Sequence, residues 1–103
     1  MTGAPPSLMP AAPVLARIPG LLRSYTRGAA TVALDGLPPA ATLADALAEL
    51  DRRFPGLRFR IVDEQGAVRP HVKIFVDGDL ARDLARPVPA GADLMLVGAL
   101  SGG

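Results

Sequence analysis

The stretch that decides the fold is LMLVGALSGG, residues 94–103. Its first part, residues 94–100, is a nearly continuous apolar run without alternating polar side chains. Such a run predicts a central strand, covered on one face and flanked by neighbours on both sides. Ser101 and the pair Gly102-Gly103 follow directly, so the sequence predicts a strand that leads into a flexible diglycine tail.

Upstream of this stretch, residues 42–54 predict one main helix. Thr42 is the expected N-cap, because its hydroxyl can accept a hydrogen bond from the amide of Asp45. Pro55-Gly56 ends the helix. Apolar residues recur at helical spacing and predict one buried stripe; they are Leu43, Ala46, Leu47, Leu50 and Phe54.

Strands are predicted on both sides of this helix. Residues 14–18 and 30–34 precede it and are expected to pair as an antiparallel hairpin, because they lie close in sequence. Residues 71–77 and 94–100 follow it, and residues 57–61 alternate enough to predict a short extra strand. The order ββαββ predicts an α+β fold, with a mixed sheet of four to five strands packed on one main helix.

The strand at residues 71–77 predicts one core face and one outer face. Asp77-Gly78 signals a turn after it, and residues 79–91, with two prolines, are predicted as a connection without a long helix. If Leu94 and Leu96 take the core side of the last strand, Met95 and Val97 share the outer face. The alternation places Val72, Ile74 and Val76 on one face and His71, Lys73, Phe75 and Asp77 on the other.

Composition limits the chemistry that the chain can perform. It has 103 residues, of which half are hydrophobic, no cysteine and a single histidine. Thiol catalysis, thiolate metal sites and a catalytic triad are therefore excluded or strongly disfavoured. The formal net charge of +1 argues against nucleic acid as the main partner.

The domain organisation and the cellular location are inferred from the N-terminal residues and from hydropathy along the chain. The Pro- and Ala-rich residues 1–13 predict a flexible leader, which leaves residues 14–103 as one domain. The leader has no basic residue and does not resemble a secretory signal. No stretch is long and apolar enough to span a membrane. The expected location is the cytoplasm.

Three stretches, together with the order of elements, resemble the ubiquitin-like β-grasp sulfur carriers. They are IPGLLR at residues 18–23, HVKIFVDGD at 71–79 and LMLVGALSGG at 94–103. The family includes the thiamine sulfur carrier, the small subunit of molybdopterin synthase and the actinobacterial cysteine-synthesis carrier, to which the first stretch looks closest. Asp77 stands where the family often has Asn, and Gly98 where it often has Pro.

The resemblance implies a carrier rather than an enzyme. In the family, an activating enzyme with bound ATP adenylates the terminal carboxylate, and sulfur is then delivered to give a thiocarboxylate. Gly103 would supply that carboxylate, and Gly102 a slim approach to it. The implied partners are the activating enzyme, a sulfur donor and a downstream sulfur-accepting synthase; no bound cofactor or metal is implied, and the ATP belongs to the activating enzyme.

A docking surface for these partners is expected on the outer face of the sheet. Phe75, Met95, Val97 and Leu100 would form an apolar patch beside the tail. The alternative is that loops cover these residues, or that Phe75 only pads the sheet.

Other functions and sites stay open. The chain can be the small subunit of a molybdopterin synthase, a ubiquitin-like protein modifier or a plain β-grasp binding module. The arginines between Arg52 and Arg69 can bind an acidic partner or form a solvated face. His71 is expected at the surface, and the Asp77–Asp79 stretch reads as a turn. The sequence leaves the pathway that receives the sulfur open.

Overall fold

A computed structural model describes residues 12–98 of the chain. The predicted leader lies outside these residues except for its last two, Ala12 and Pro13. Leu100 and the diglycine Gly102-Gly103 also lie outside them.

The described residues form five strands and two helices. The sheet order is β2-β1-β5-β3-β4; β1 and β5 are parallel, and all other neighbours are antiparallel. A turn of 3₁₀ helix, Gly20–Leu22, lies between the first two strands. The bounds are β1 Val14–Arg17, β2 Thr31–Leu34, α1 Leu43–Arg53, α2 Leu57–Ile61, β3 Val72–Val76, β4 Asp79–Ala81 and β5 Asp93–Gly98.

Helix α1 begins at a reciprocal cap, as the sequence predicts. The amide of Asp45 donates to Thr42 Oγ1 at 3.3 Å, and the amide of Thr42 donates to Asp45 Oδ2 at 2.9 Å. Two amides at the start of the helix are thereby satisfied. The predicted stripe packs into the core through Leu43, Ala46, Leu47 and Leu50, which are buried, whereas Phe54 is half-buried against it.

The predicted extra strand at residues 57–61 is wrong: this segment is the short helix α2. Leu57 and Ile61 are buried and lie four residues apart, while Phe59 between them is 54% exposed. Helical spacing therefore puts both buried side chains on one side, and the sequence alternation is incidental. Asp51 Oδ1 accepts from the amides of Gly56 and Arg58 and so caps the new helix.

The fifth strand comes instead from β4, inside the segment that the sequence predicts as a connection. It pairs with β3 after a tight turn in which Asp77 and Gly78 both have positive φ, 50° and 87°. Two consecutive left-handed residues give the turn the twist of an antiparallel hairpin. With three residues, β4 is too short to show an alternating pattern.

Strand β5 lies in the middle of the sheet, which confirms the prediction of a central strand. It runs over Asp93–Gly98, and the predicted residues 99 and 100 lie outside the described part. The core fills the space between the sheet and the two helices. Between residues 12 and 98, no helix combines the length and apolar character needed to cross a membrane.

Candidate functional site

The two faces of β5 separate the core from a candidate docking surface. Leu94 and Leu96 are buried, whereas Met95 and Val97 are each 38% exposed. This confirms the predicted orientation of the strand. Because side chains alternate along a strand, the two exposed residues lie on the same face of the sheet.

Neighbouring strands extend this apolar surface. Phe75 lies opposite Met95 on β5 and opposite Leu80 on β4, and it is half-buried. Leu15 on β1 is exposed as well. We call Leu15, Phe75, Leu80, Met95 and Val97 the outer sheet face. Sequence reasoning brought together three of these residues and missed two: Leu80 lies in the unassigned β4, and Leu15 alternates outward from the buried Val14 and Ala16.

An ion pair crosses the outer sheet face between its two parallel strands. Arg17 Nε lies 2.5 Å from Asp93 Oδ1. The backbone of Asp93 is itself tied to the β3–β4 turn, since Asp77 Oδ1 accepts from its amide at 2.9 Å and its carbonyl accepts from the Asp77 amide at 2.8 Å. The start of β5 is therefore fixed on both sides.

At the other end of β5, its last described residue lies beside an exposed apolar loop. Gly98 pairs with Val72 of β3. A methyl group added at Gly98 would lie 3.8 Å from Leu21 Cδ1 and 3.9 Å from Pro19 Cγ, which is ordinary packing distance. An open groove of about 390 Å³ adjoins this point, with Arg17, Arg23, Met95 and Val97 among its lining residues.

A second charged cluster joins α1 to the edge strand β2. Hydrogen bonds from Arg52, and then from Arg53, lower the pKa of Glu49 to about 2. Arg53 also donates to the carbonyl of Ala33 at 2.7 Å and to Asp35 Oδ1 at 2.8 Å. This cluster fastens the helix to the sheet and contributes nothing to the outer sheet face.

Among residues 12–98, no three His, Asp or Glu side chains gather as a metal site would require. His71 is exposed just before β3, as expected. The outer sheet face brings Phe75, Met95 and Val97 together; their role in docking stays a prediction, as do the roles of Leu100, Gly102 and Gly103.

No protein-family model and no curated protein sequence matches the chain. Solved structures do. SAMP1 from Haloferax volcanii, a small archaeal modifier protein, has 29% identity and a TM-score of 0.74 over 87% of this chain and 98% of its own. A chain of the Amycolatopsis orientalis BexX/CysO complex has 25% identity and a TM-score of 0.74, over 87% and 99%.

A third likeness, at lower identity, supports the fold alone. Mycobacterium tuberculosis CysO, described as an antigen, has 24% identity and a TM-score of 0.73 over 84% of this chain and 99% of its own. The sheet order, the position of the helix and these three structural likenesses all indicate the same fold. The chain therefore has the ubiquitin-like β-grasp fold, and SAMP1 and CysO are similar to it in structure.

Proposed function

We propose that this protein is a sulfur carrier whose Gly103 carboxylate is adenylated and then converted to a thiocarboxylate. The observation that carries the proposal is the diglycine Gly102-Gly103, which follows closely on the central strand β5 of a β-grasp domain. The thiocarboxylate would donate its sulfur in the biosynthesis of cysteine or of another sulfur-containing metabolite. The setting that we propose is the cytoplasm.

The proposed chemistry uses only the terminal carboxylate of this chain. One carboxylate oxygen attacks the α-phosphorus of ATP and expels pyrophosphate, which replaces a poor leaving group with AMP. A hydrosulfide equivalent from the sulfur donor then attacks the acyl carbon, forms the C–S bond and releases AMP. Gly102 and Gly103 suit this reaction because a residue without a side chain can enter a narrow channel.

The outer sheet face is the docking surface in this proposal. Met95 and Val97 stay exposed although they belong to a central strand, and Phe75 lies beside them. Apolar side chains grouped on one face are typical of a surface that a partner covers. The activating enzyme would bind there and receive residues 99–103; the sulfur-accepting synthase would use the same face in turn.

The direct test is incubation with the activating enzyme of the same host, ATP and sulfide. Intact mass should show the exchange of one terminal oxygen for sulfur, and deletion of Gly103 should abolish it while the fold survives. The mass of the protein from its native host must also correspond to a chain that ends at Gly103. Absence of exchange with every activating enzyme of the host would refute the proposal.

Docking is tested separately by kinetics. Met95→Ala combined with Val97→Ala should raise the KM for the carrier about tenfold and leave kcat unchanged, because ground-state contacts are lost. Gln65→Ala is the control, since Gln65 is exposed in the turn after α2 and lies outside the outer sheet face. An equal effect of both variants would exclude the outer sheet face as the specific surface.

A second candidate function is protein modification, favoured by the likeness to SAMP1, a small archaeal modifier protein. In that case Gly103 forms an isopeptide bond with lysines of target proteins. Diglycine remnants on host lysines, lost on deletion of Gly103, would support it. A stable large subunit that co-purifies would instead favour the small-subunit role of a molybdopterin synthase.

A further inference from the structure

The acidic and basic side chains differ in how many of them have bonding partners, although the net charge is close to zero. Nine of the ten acidic side chains accept hydrogen bonds within residues 12–98, from caps, turns or arginines; Glu64 is the exception. Only four of the eleven cations are ion-paired. The other seven have no carboxylate within 4.0 Å among the described residues, so most of the unpaired charge is positive.

The topology gathers several of these cations at one end of the sheet. Strands β1, β4 and β5 finish at this end, and β2 and β3 begin there. We call it the exit end, because the described part of β5 ends there with Gly98. Lys73 lies opposite Val97, Arg82 follows β4, and Arg23 lines the groove beside Gly98. Arg69 and Arg82 line one small cavity with Lys73.

We name Arg23, Arg69, Lys73 and Arg82 the cationic collar. All but Arg69 are exposed, and Arg69 is half-buried, with its guanidinium 4.5 Å from the centre of the Phe59 ring. Two acids close in sequence to Arg69 and Arg82 accept hydrogen bonds from nearby backbone amides. Asp63 accepts from the amides of Ala67 and Gln65, which together with the charge of Arg69 lower its pKa, and Asp83 accepts from the amide of Ala85.

The opposite end of the sheet carries carboxylates. Asp93 begins β5, Asp77 lies in the turn beside it, Asp79 begins β4 and Asp35 follows β2. Three of the four are ion-paired: Asp93 with Arg17, Asp79 with Arg86 and Asp35 with Arg53. The two ends therefore differ in ion pairing: most carboxylates at the opposite end are neutralised by arginines, whereas the four residues of the cationic collar at the exit end have no ion-pair partner among residues 12–98. An excess of unpaired cations at one end orients a protein during diffusional encounter, so that this end approaches a negatively charged surface first.

We propose that the cationic collar binds an acidic protein surface, namely a rim of Asp and Glu side chains around the opening that receives residues 99–103. This inference rests on the proposed function, because it describes the partner of the same terminus. A protein is the favoured partner because the collar adjoins the apolar Met95 and Val97, which a phosphate backbone would leave uncovered. The net charge of +1 also gives little non-specific affinity for nucleic acid.

The test neutralises collar residues and measures activation. Lys73→Gln and Arg82→Gln should each raise the KM for the carrier about threefold, and together about tenfold, with kcat unchanged. The salt dependence of KM should also become shallower in these variants. Ala48→Glu is the matched control for each single variant: it changes the net charge equally at an exposed site on α1, and it should alter KM less than twofold.

A second measurement does not depend on activation. The full chain is titrated with poly-L-glutamate and with a single-stranded RNA oligonucleotide, and amide chemical shifts are recorded. Poly-L-glutamate should shift the collar amides in wild type and in Ala48→Glu, and much less in the double variant. Urea unfolding must be unchanged in all variants for the comparison to hold.

The outcomes separate the two proposals. If wild type is activated but the collar variants match it, the inference is overturned and the carrier function stands. If no enzyme activates the chain while poly-L-glutamate shifts the collar amides, the carrier function and the placement of the acidic rim around residues 99–103 both fail, and only the affinity of the collar for an acidic protein surface stands. Tighter binding of RNA than of poly-L-glutamate through the same residues, or no localised shift with either probe, overturns the inference.

Discussion

Replacing Glu49 with Gln should destabilise the domain at neutral pH and have little effect in strong acid. Glu49 accepts from Arg52 at 2.9 and 2.6 Å and from Arg53 at 2.9 Å, and these bonds lower its pKa from 4.5 to about 2. Because one pKa unit corresponds to about 1.36 kcal/mol, this shift contributes at most about 3 kcal/mol to the free energy of unfolding. The Arg52 side chain is 69% exposed, so screening by solvent reduces the expected loss to about 1–2 kcal/mol.

The sign of the pH dependence follows from the lowered pKa. Above the pKa of 4.5 that Glu49 has in the unfolded chain, Glu49 is ionised in both the folded and the unfolded state. Its full contribution to the free energy of unfolding is then present. As pH falls from 4.5 to about 2, protonation removes that contribution, so wild type should approach Glu49→Gln. In Glu49→Gln this contribution is absent at every pH.

The assay is urea unfolding of both proteins at several pH values between 7 and 2. Glu64→Gln is the matched control, because Glu64 is exposed and accepts no hydrogen bond within residues 12–98. Its free energy of unfolding should follow wild type throughout. A difference between wild type and Glu49→Gln that stays constant down to pH 2, or that is absent at pH 7, would refute the reasoning.

Three further changes test the fold by urea unfolding. Gly78→Ala should lower the free energy of unfolding by about 1–2 kcal/mol, because Gly78 has φ of 87°. Gly20→Ala, at ordinary φ and with open space around it, should lower it by less than about 0.5 kcal/mol. Equal losses in the two variants would contradict the argument from backbone strain. Leu94→Ala should cost about 2–5 kcal/mol and its exposed neighbour Met95→Ala less than about 1 kcal/mol; a reversed order would contradict the assignment of faces. Thr42→Ala should cost about 1 kcal/mol by removing the helix cap, and an unchanged midpoint would show that the cap is dispensable.

The parts of the fold that the sequence predicts correctly are those where one strong local pattern agrees with the tertiary environment. Thr42 with Asp45 starts the helix, and the alternation through Ile74 and Phe75 assigns the faces of β3. The apolar run beginning at Leu94 predicts a central strand for a physical reason: a strand paired on both sides and covered on one face has little need of polar residues.

The parts that the sequence misses depend on short segments and distant contacts. Leu57, Phe59 and Ile61 fit a strand and a helical turn equally well, and the choice is made by Asp51, which caps α2 from the preceding helix. Strand β4 exists because the turn at Asp77 and Gly78 folds it back onto β3. Five-residue and three-residue elements carry too little periodicity to reveal such a choice.

The candidate site was predictable in its apolar centre and unpredictable in its charge. Phe75 and Met95 meet because they occupy facing positions on neighbouring strands, which alternation and strand order together predict. The cationic collar depends on where Arg23 and Arg82 stand relative to the sheet and on which carboxylates are already engaged. Neither property can be read from a formal net charge of +1.

The central position of β5 also has a mechanical consequence. A partner that grips residues 99–103 pulls along a strand that pairs with β1 through Leu15, Ala16 and Arg17 and with β3 over five positions. The strand cannot peel away one bond at a time, since it has no open edge; both ladders must slide together. The domain is thus built to stay folded while its C-terminal segment is held, drawn in and released.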